Sequence, residues 1–195
     1  TPMARGARVG IVGLHGASRG EPRLTPNSPL IVRRPKAMQL CSSFPLVDEI
    51  LLSHSTSLGG DFLAYRNHIY RVLNYFIALS SPTTTAPEAV LIASAFHDLG
   101  IWIDRTFDYL EPSVREAMAY LATRELECHA PEVQALITEH HKLRPYRGQF
   151  AITVEAYRKA DLIDVSLGMV RFGLPTSFVR SVKVAFPNAG FHWRL

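Results

Sequence analysis

Apolar positions recur at helical spacing along most of residues 38–195. Val47, Ile50, Leu51 and His54 step by three and four, which predicts a first amphipathic helix that Gly59-Gly60 breaks. Asp61 is placed to cap a second helix, with Phe62, Tyr65, Ile69, Val72, Leu73, Phe76 and Leu79 as its apolar stripe. Ser80, Ser81, Pro82 and three threonines then read as a loop. Thr85 and Glu88 have capping-box spacing for a third helix from Pro87 to about Asp98, and Gly100 is the expected stop. Residues 101–112 read as a loop or short irregular segment rich in aromatics and aspartate. A second capping box, Ser113 and Glu116, opens a helix to about Cys128, and Pro131 sits in the first turn of the next, which runs to about Lys142. After Pro145 and Gly148 the pattern predicts a helix from about Thr153 to Leu167 and, from Pro175, a last one to about Ala185. Strictly alternating β-branched runs and internal repeats are missing. The expectation is an all-α domain of six or seven helices over 38–195. Phe191 and Leu195, four apart, look like the start of a further helix, so the chain is expected to continue.

Residues 1–37 lack this periodicity. They hold five of the 13 prolines and five of the 12 glycines, which predicts a disordered or loosely attached tail. Met38 is a candidate start for the folded part. Gly10, Gly13 and Gly16 follow an apolar stretch, but no Gly-Lys-Ser/Thr follows and three prolines forbid the helix a phosphate loop needs. The tail is also basic, with seven Lys/Arg against one Glu. Residues 38–195 carry 14 basic and 16 acidic groups, so the formal +4 of the whole chain belongs to the tail. A mildly acidic domain argues against a nucleic-acid partner. A run of 18 or more apolar residues is absent, which excludes a membrane-spanning helix and gives no reason to expect a membrane partner. Cys41 and Cys128 are too few for a disulfide framework or a cysteine-built zinc cluster, and fit a reducing, cytoplasmic setting. Such a domain is expected to be a monomer or homodimer.

The chemistry concentrates on histidine and aspartate. His97-Asp98 ends the very apolar stretch Val90–Phe96, which sets the pair at the edge of the core, where a charged group needs a partner or a metal. Imidazole with carboxylate suits zinc, manganese, iron, cobalt or nickel. His68, on another predicted helix, and Asp161, on a third, would complete a His-His-Asp-Asp set with positions left open for water and substrate. Asp164 shares a helix face with Asp161 and is the alternative fourth ligand. His140, His141 and Lys142 end a further helix. Arg66 and Arg71 flank His68 and read as solvated side chains, although Arg66 could reach an anion. The segment from Trp102 to Tyr109, directly after the His97-Asp98 pair, reads as a wall or lid over the site or as aromatics packing the loop onto the core, with Trp102 read as packing. His54, His129 and His192 have no partner pattern.

The order His68, His97-Asp98, Asp161, with the apolar approach into His97-Asp98-Leu99-Gly100, resembles the signature of the HD-domain superfamily of metal-dependent phosphohydrolases. Ile137-Thr138-Glu139-His140-His141-Lys142 resembles the His-His segment of many members. Lys159-Ala160-Asp161-Leu162-Ile163-Asp164 resembles the helix that gives the last aspartate. The resemblance covers roughly residues 55–170 and implies an HD-like helical bundle. It implies His68, His97, Asp98 and Asp161 as ligands of one divalent transition metal ion. Asp98, His140, His141 and Lys142 become the catalytic candidates, acting on a small phosphorylated molecule or nucleotide through a metal-activated water. Members with two metals carry a further histidine between the His-Asp and His-His pairs. Here that interval holds only His129, at a helix boundary, which favours one ion. Some nucleotidase members place a glutamate three residues after the pair, where this chain has Ile101, so a nucleotidase is disfavoured. The alternatives are a di-iron oxygenase of the same superfamily and a degenerate domain serving as a non-catalytic binding module.

Overall fold

A computed structural model describes residues 38–80, 85–106 and 108–191. The tail over 1–37 and the helix expected after Phe191 lie outside the described residues. In chain order the helices are α1 (Pro45–Ser53), α2 (Ser55–Leu58), α3 (Phe62–Leu79), α4 (Glu88–Phe96), α5 (Gly100–Ile103), α6 (Leu110–Thr123), α7 (Ala130–Glu139), α8 (Ala151–Val165) and α9 (Thr176–Ala185). Among the described residues there is no strand, and seven helices have nine residues or more. The all-α expectation therefore holds.

The axis of the bundle is α3, which packs mainly on α8, while α4 is held between α1 and α7 and α6 lies across α7. Tyr65, Ile69, Val72, Leu73 and Phe76 are buried, as the stripe predicts. So are Asn67, His68, Arg71 and Asn74, which makes α3 buried nearly all round. A core helix carrying that much polarity must find partners for it. Asn74 is satisfied locally: its amide donates to the Cys41 and Tyr70 carbonyls and its oxygen accepts from the Cys41 N–H. The others lead to the site described below.

Local signals failed where a tertiary contact outbid them. Neither capping box forms. Pro87 occupies the cap of α4, and α6 begins three residues before Ser113. Ser113 is instead buried inside α6, its hydroxyl accepting from the Gly100 N–H at 3.0 Å. Asp61 does not cap α3 but accepts from Trp102 Nε1 at 3.0 Å. Gly100 is not a stop; it opens α5. A Cβ there would lie 2.4 Å from the Tyr109 carbonyl oxygen and 2.9 Å from the Ser113 nitrogen, so glycine is required for α6 to approach so closely.

The helix predicted to reach Cys128 ends at Thr123, where the chain turns through Glu125 at φ 57° and the Leu126 N–H closes onto the Leu121 carbonyl at 2.9 Å. A left-handed residue at this position favours glycine. Glu125 is exposed, so Glu125→Gly is expected to stabilise the fold by about 0.5 kcal/mol, a rise of roughly 1–2 °C in Tm by calorimetry.

Candidate metal centre

Four helices bring one cluster together. α3 supplies His68; the end of α4 leads into His97 and Asp98; His140 follows α7; α8 supplies Asp161 and Asp164. All six are buried. The geometry follows from helical spacing: His68 and Arg71 are three apart on α3, Asp161 and Asp164 three apart on α8, and these two faces meet where the helices pack.

The hydrogen-bond partners assign the imidazole tautomers. His68 Nδ1 lies 2.7 Å from Asp164 Oδ2, His97 Nδ1 2.8 Å from the Ser94 carbonyl, and His140 Nδ1 2.6 Å from the Ile137 carbonyl. Each of these oxygens only accepts, so in each ring Nδ1 donates and Nε2 is the atom turned to the cluster, with a lone pair when the ring is neutral and an N–H when it is protonated. The three Nε2 atoms converge. His68 Nε2 and His97 Nε2 are 3.0 Å apart. Asp98 Oδ2 lies 3.2 Å from His97 Nε2, and Asp98 Oδ1 lies 3.4 Å from His140 Nε2. Asp161 Oδ1 is 3.6 Å from His68 Nε2. Both Asp98 oxygens, Asp161 Oδ1 and His140 Nε2 are buried without a hydrogen-bond partner. Nitrogen and carboxylate lone pairs facing one another in a dry site repel, and positive charge at their centre, a proton on His97 or a metal ion, reverses the sign of the interaction. Imidazoles that ligate metals typically hand the opposite N–H to a carboxylate or carbonyl, as all three do here.

Charge gives the same answer. Asp164 is neutralised by Arg71, whose Nε and Nη2 donate to its two oxygens at 2.5 and 2.7 Å. Burial would lift the Asp164 carboxyl, but His68 and Arg71 draw it down to about 2. Asp164 thus orients His68 and is itself paired with Arg71, whereas Asp161 Oδ1 faces the cluster without a hydrogen-bond partner. Asp98 and Asp161 keep two negative charges facing the cluster. Burial alone would lift the Asp98 carboxyl; His97 and His140 hold it well below the usual range. Burial opposes a charge on His97, yet Asp98 outweighs it and pushes that imidazole up to about 9. The pocket demands positive charge. One proton meets half of the demand of two buried carboxylates, and a divalent ion meets all of it. His68, His97, Asp98 and His140 accordingly form buried groups able to hold a metal ion.

The rim is more open. His141 has 41% of its side chain exposed, with Nε2 3.4 Å from Asp161 Oδ2 and Nδ1 2.9 Å from the Tyr109 hydroxyl. With Asp98 and His140 it forms a second group of ligand-capable atoms. A cleft of about 380 Å³ opens beside them, lined in part by His141, Lys142, Arg158 and Asp161. The Lys142 ammonium is not directed at the cluster but pairs with Glu139 at 2.7 Å in solvent. Arg71 is not solvated, contrary to the sequence expectation, and Arg66 is bound to Asp48 at 2.6 Å, away from any anion site. His129 pairs with Glu88 at the surface.

Sequence reasoning missed the Tyr109–His141 contact and the Arg71 support. Arg71 had a legible signal, its position three residues after His68 on the same face. Tyr109 belongs to the aromatic segment after the His97-Asp98 pair that the sequence offered as a wall over the site, but its partner His141 had no signal, because the chain folds back to bring the two together. Phe191, from the far end of the described chain, stacks on the His68 ring at 4.0 Å and 13°.

Comparison of the chain with protein-family models, curated proteins and solved structures found no match.

Proposed function

We propose that this protein is a metal-dependent phosphohydrolase of the HD type, acting on a phosphate ester of a small molecule or nucleotide. The observation that carries the reading is the convergence of three imidazole Nε2 atoms with the unpartnered oxygens of Asp98 and Asp161, beside an open cleft. Residues His68, His97, Asp98 and Asp161 would hold the ion, with His140 adjacent. A manganese, zinc, iron, cobalt or nickel ion bound there supplies Lewis acidity toward water and toward a phosphoryl oxygen.

The remaining chemistry belongs to the chain. Asp98 uses one oxygen toward the ligand cluster and keeps the other to orient a water or accept its proton. His141 donates its Nε2 proton toward Asp161 and leaves Nδ1 to accept from Tyr109, which fixes the ring at the mouth of the cleft. His140 and His141 are placed to contact the phosphate or its leaving group. Lys142 is free to contribute only after leaving Glu139.

The test is hydrolysis of p-nitrophenyl phosphate and bis-p-nitrophenyl phosphate after loading with Mn²⁺. Turnover is expected with the wild type. His141→Ala should lower kcat by about 10²-fold while the metal is retained. A metal-loaded protein that hydrolyses no ester would overturn the hydrolase. The second ligand-capable group, Asp98 with His140 and His141, is the observation that favours a di-iron oxygenase as the next reading. Oxygen consumption by the iron-loaded protein would support it.

A further inference from the structure

The balance of 14 basic and 16 acidic groups over residues 38–195 conceals a division. Residues 38–141 carry five Lys/Arg against 13 Asp/Glu, whereas residues 142–191 carry eight against three. Two of those three, Asp161 and Asp164, are consumed in the buried site, and the third, Glu155, is bound to Arg158 and the Tyr146 N–H. With Lys142 paired to Glu139 and Arg158 to Glu155, the basic groups left over in this stretch are Arg144, Arg147, Lys159, Arg171, Arg180 and Lys183, so the stretch that forms the α7–α8 loop, α8 and the turn before α9 is predominantly basic.

The same surface carries bare aliphatic side chains. Leu143 is 88% exposed, Ile152 90% and Met169 79%, with Phe172 partly exposed among them. Contacts link two of these groups, Leu143 and Phe172, to basic side chains of α8. Lys142 and Leu143 line the cleft together with Arg158, Leu162 and Val165 of α8. One residue further along α8, Lys159 Nζ lies 5.8 Å from the Phe172 ring. Lys183 of α9 donates to the Leu167 carbonyl at 3.2 Å. Apolar tips projecting between basic side chains gain little from water or from a purely charged partner.

We infer that this face docks on the surface of an anionic lipid bilayer, with Leu143, Ile152, Met169 and Phe172 entering the headgroup–acyl boundary and Arg144, Arg147, Lys159 and Arg171 meeting lipid phosphates and carboxylates. Interfacial binding combines these two terms, apolar insertion and attraction to anionic headgroups. Single-stranded nucleic acid would call for a run of aromatic platforms, and the exposed tips here are mainly aliphatic. A chain with no helix among the described residues long and apolar enough to cross a membrane can still bind one in this way. The cleft beside His141 and Asp161 shares Leu143 with the docked residues, so docking would bring headgroups near the cluster. That last consequence rests on the proposed phosphohydrolase; the docking does not.

The experiment is co-sedimentation of the full chain with vesicles of phosphatidylcholine containing about 30 mol% phosphatidylserine, against pure phosphatidylcholine. Binding is expected to the anionic vesicles. Arg144→Glu/Arg147→Glu/Arg171→Glu should reduce the partition coefficient by about 100-fold or more, and Met169→Ser/Phe172→Ser by about 10-fold. All five side chains are exposed, and an unchanged circular-dichroism melt shows that the variants fold. Binding that both variants retain in full would overturn the inference and assign it to the basic residues 1–37. Absence of vesicle binding would overturn it too, whether an oligonucleotide or a second copy of the chain binds instead. Ester hydrolysis is measured separately on soluble substrates, so failure of docking and failure of the phosphohydrolase remain distinct.

Discussion

Protein purified without chelator is expected to carry about one equivalent of a divalent transition metal by elemental analysis, and the His97→Ala/Asp98→Ala variant none. The double substitution removes one Nε2 and both Asp98 oxygens, the atoms on which the two ligand-capable groups converge. Support residues should matter less. Asp164→Asn keeps the shape but weakens the acceptor for His68 Nδ1–H, and should lower metal affinity by 10- to 100-fold, a range of about one to two decades seen when such partners are removed. Ligand loss and support loss are thus separated by degree in one titration. Two equivalents of iron would favour the oxygenase. No metal, even after reconstitution, would sink both enzyme readings and leave a binding module.

The second large effect concerns stability. Arg71→Met is expected to destabilise the fold by about 3–5 kcal/mol, because it removes the cation that offsets the buried Asp164 carboxylate and leaves it the His68 N–H. For a chain of this size that is a fall of roughly 10 °C or more in Tm, measured on the chelated protein so that metal loss does not contribute. Arg71 also donates to the Phe186 and Pro187 carbonyls at 3.1 and 3.3 Å, bonds that the variant loses. Pairing it with Asp164→Leu should restore much of the loss, since the stranded charge is then gone as well. A double variant as unstable as Arg71→Met would show that the contacts to 186–187, not the ion pair, dominate.

Most of the helical pattern and the residues of the cluster were legible in the sequence. The apolar stripe of α3 and the apolar approach to His97-Asp98 depend on burial, and burial leaves a periodic trace. What was not legible depends on contacts between distant residues. The capping boxes at Thr85 and Ser113 failed because Pro87 took one cap and Gly100 claimed the other hydroxyl. The sequence favoured Asp161 over Asp164 but could not show that Asp164 is paired with Arg71, which lies 93 positions away. The charge division at residue 142 was present in the sequence throughout, but a single average over the domain erased it.

The clamp made by Arg71 also bears on when the centre is completed during synthesis. The back of the pocket is closed by Phe191 lying on His68, and by the 186–187 carbonyls held to α3. These belong to the last part of the described chain to leave the ribosome. A nascent chain that has made α8 already possesses His68, His97, Asp98, His140 and Asp161, yet holds them in a pocket with one wall missing. Stable capture of a metal ion by these groups would therefore be a late event, following synthesis of residue 191.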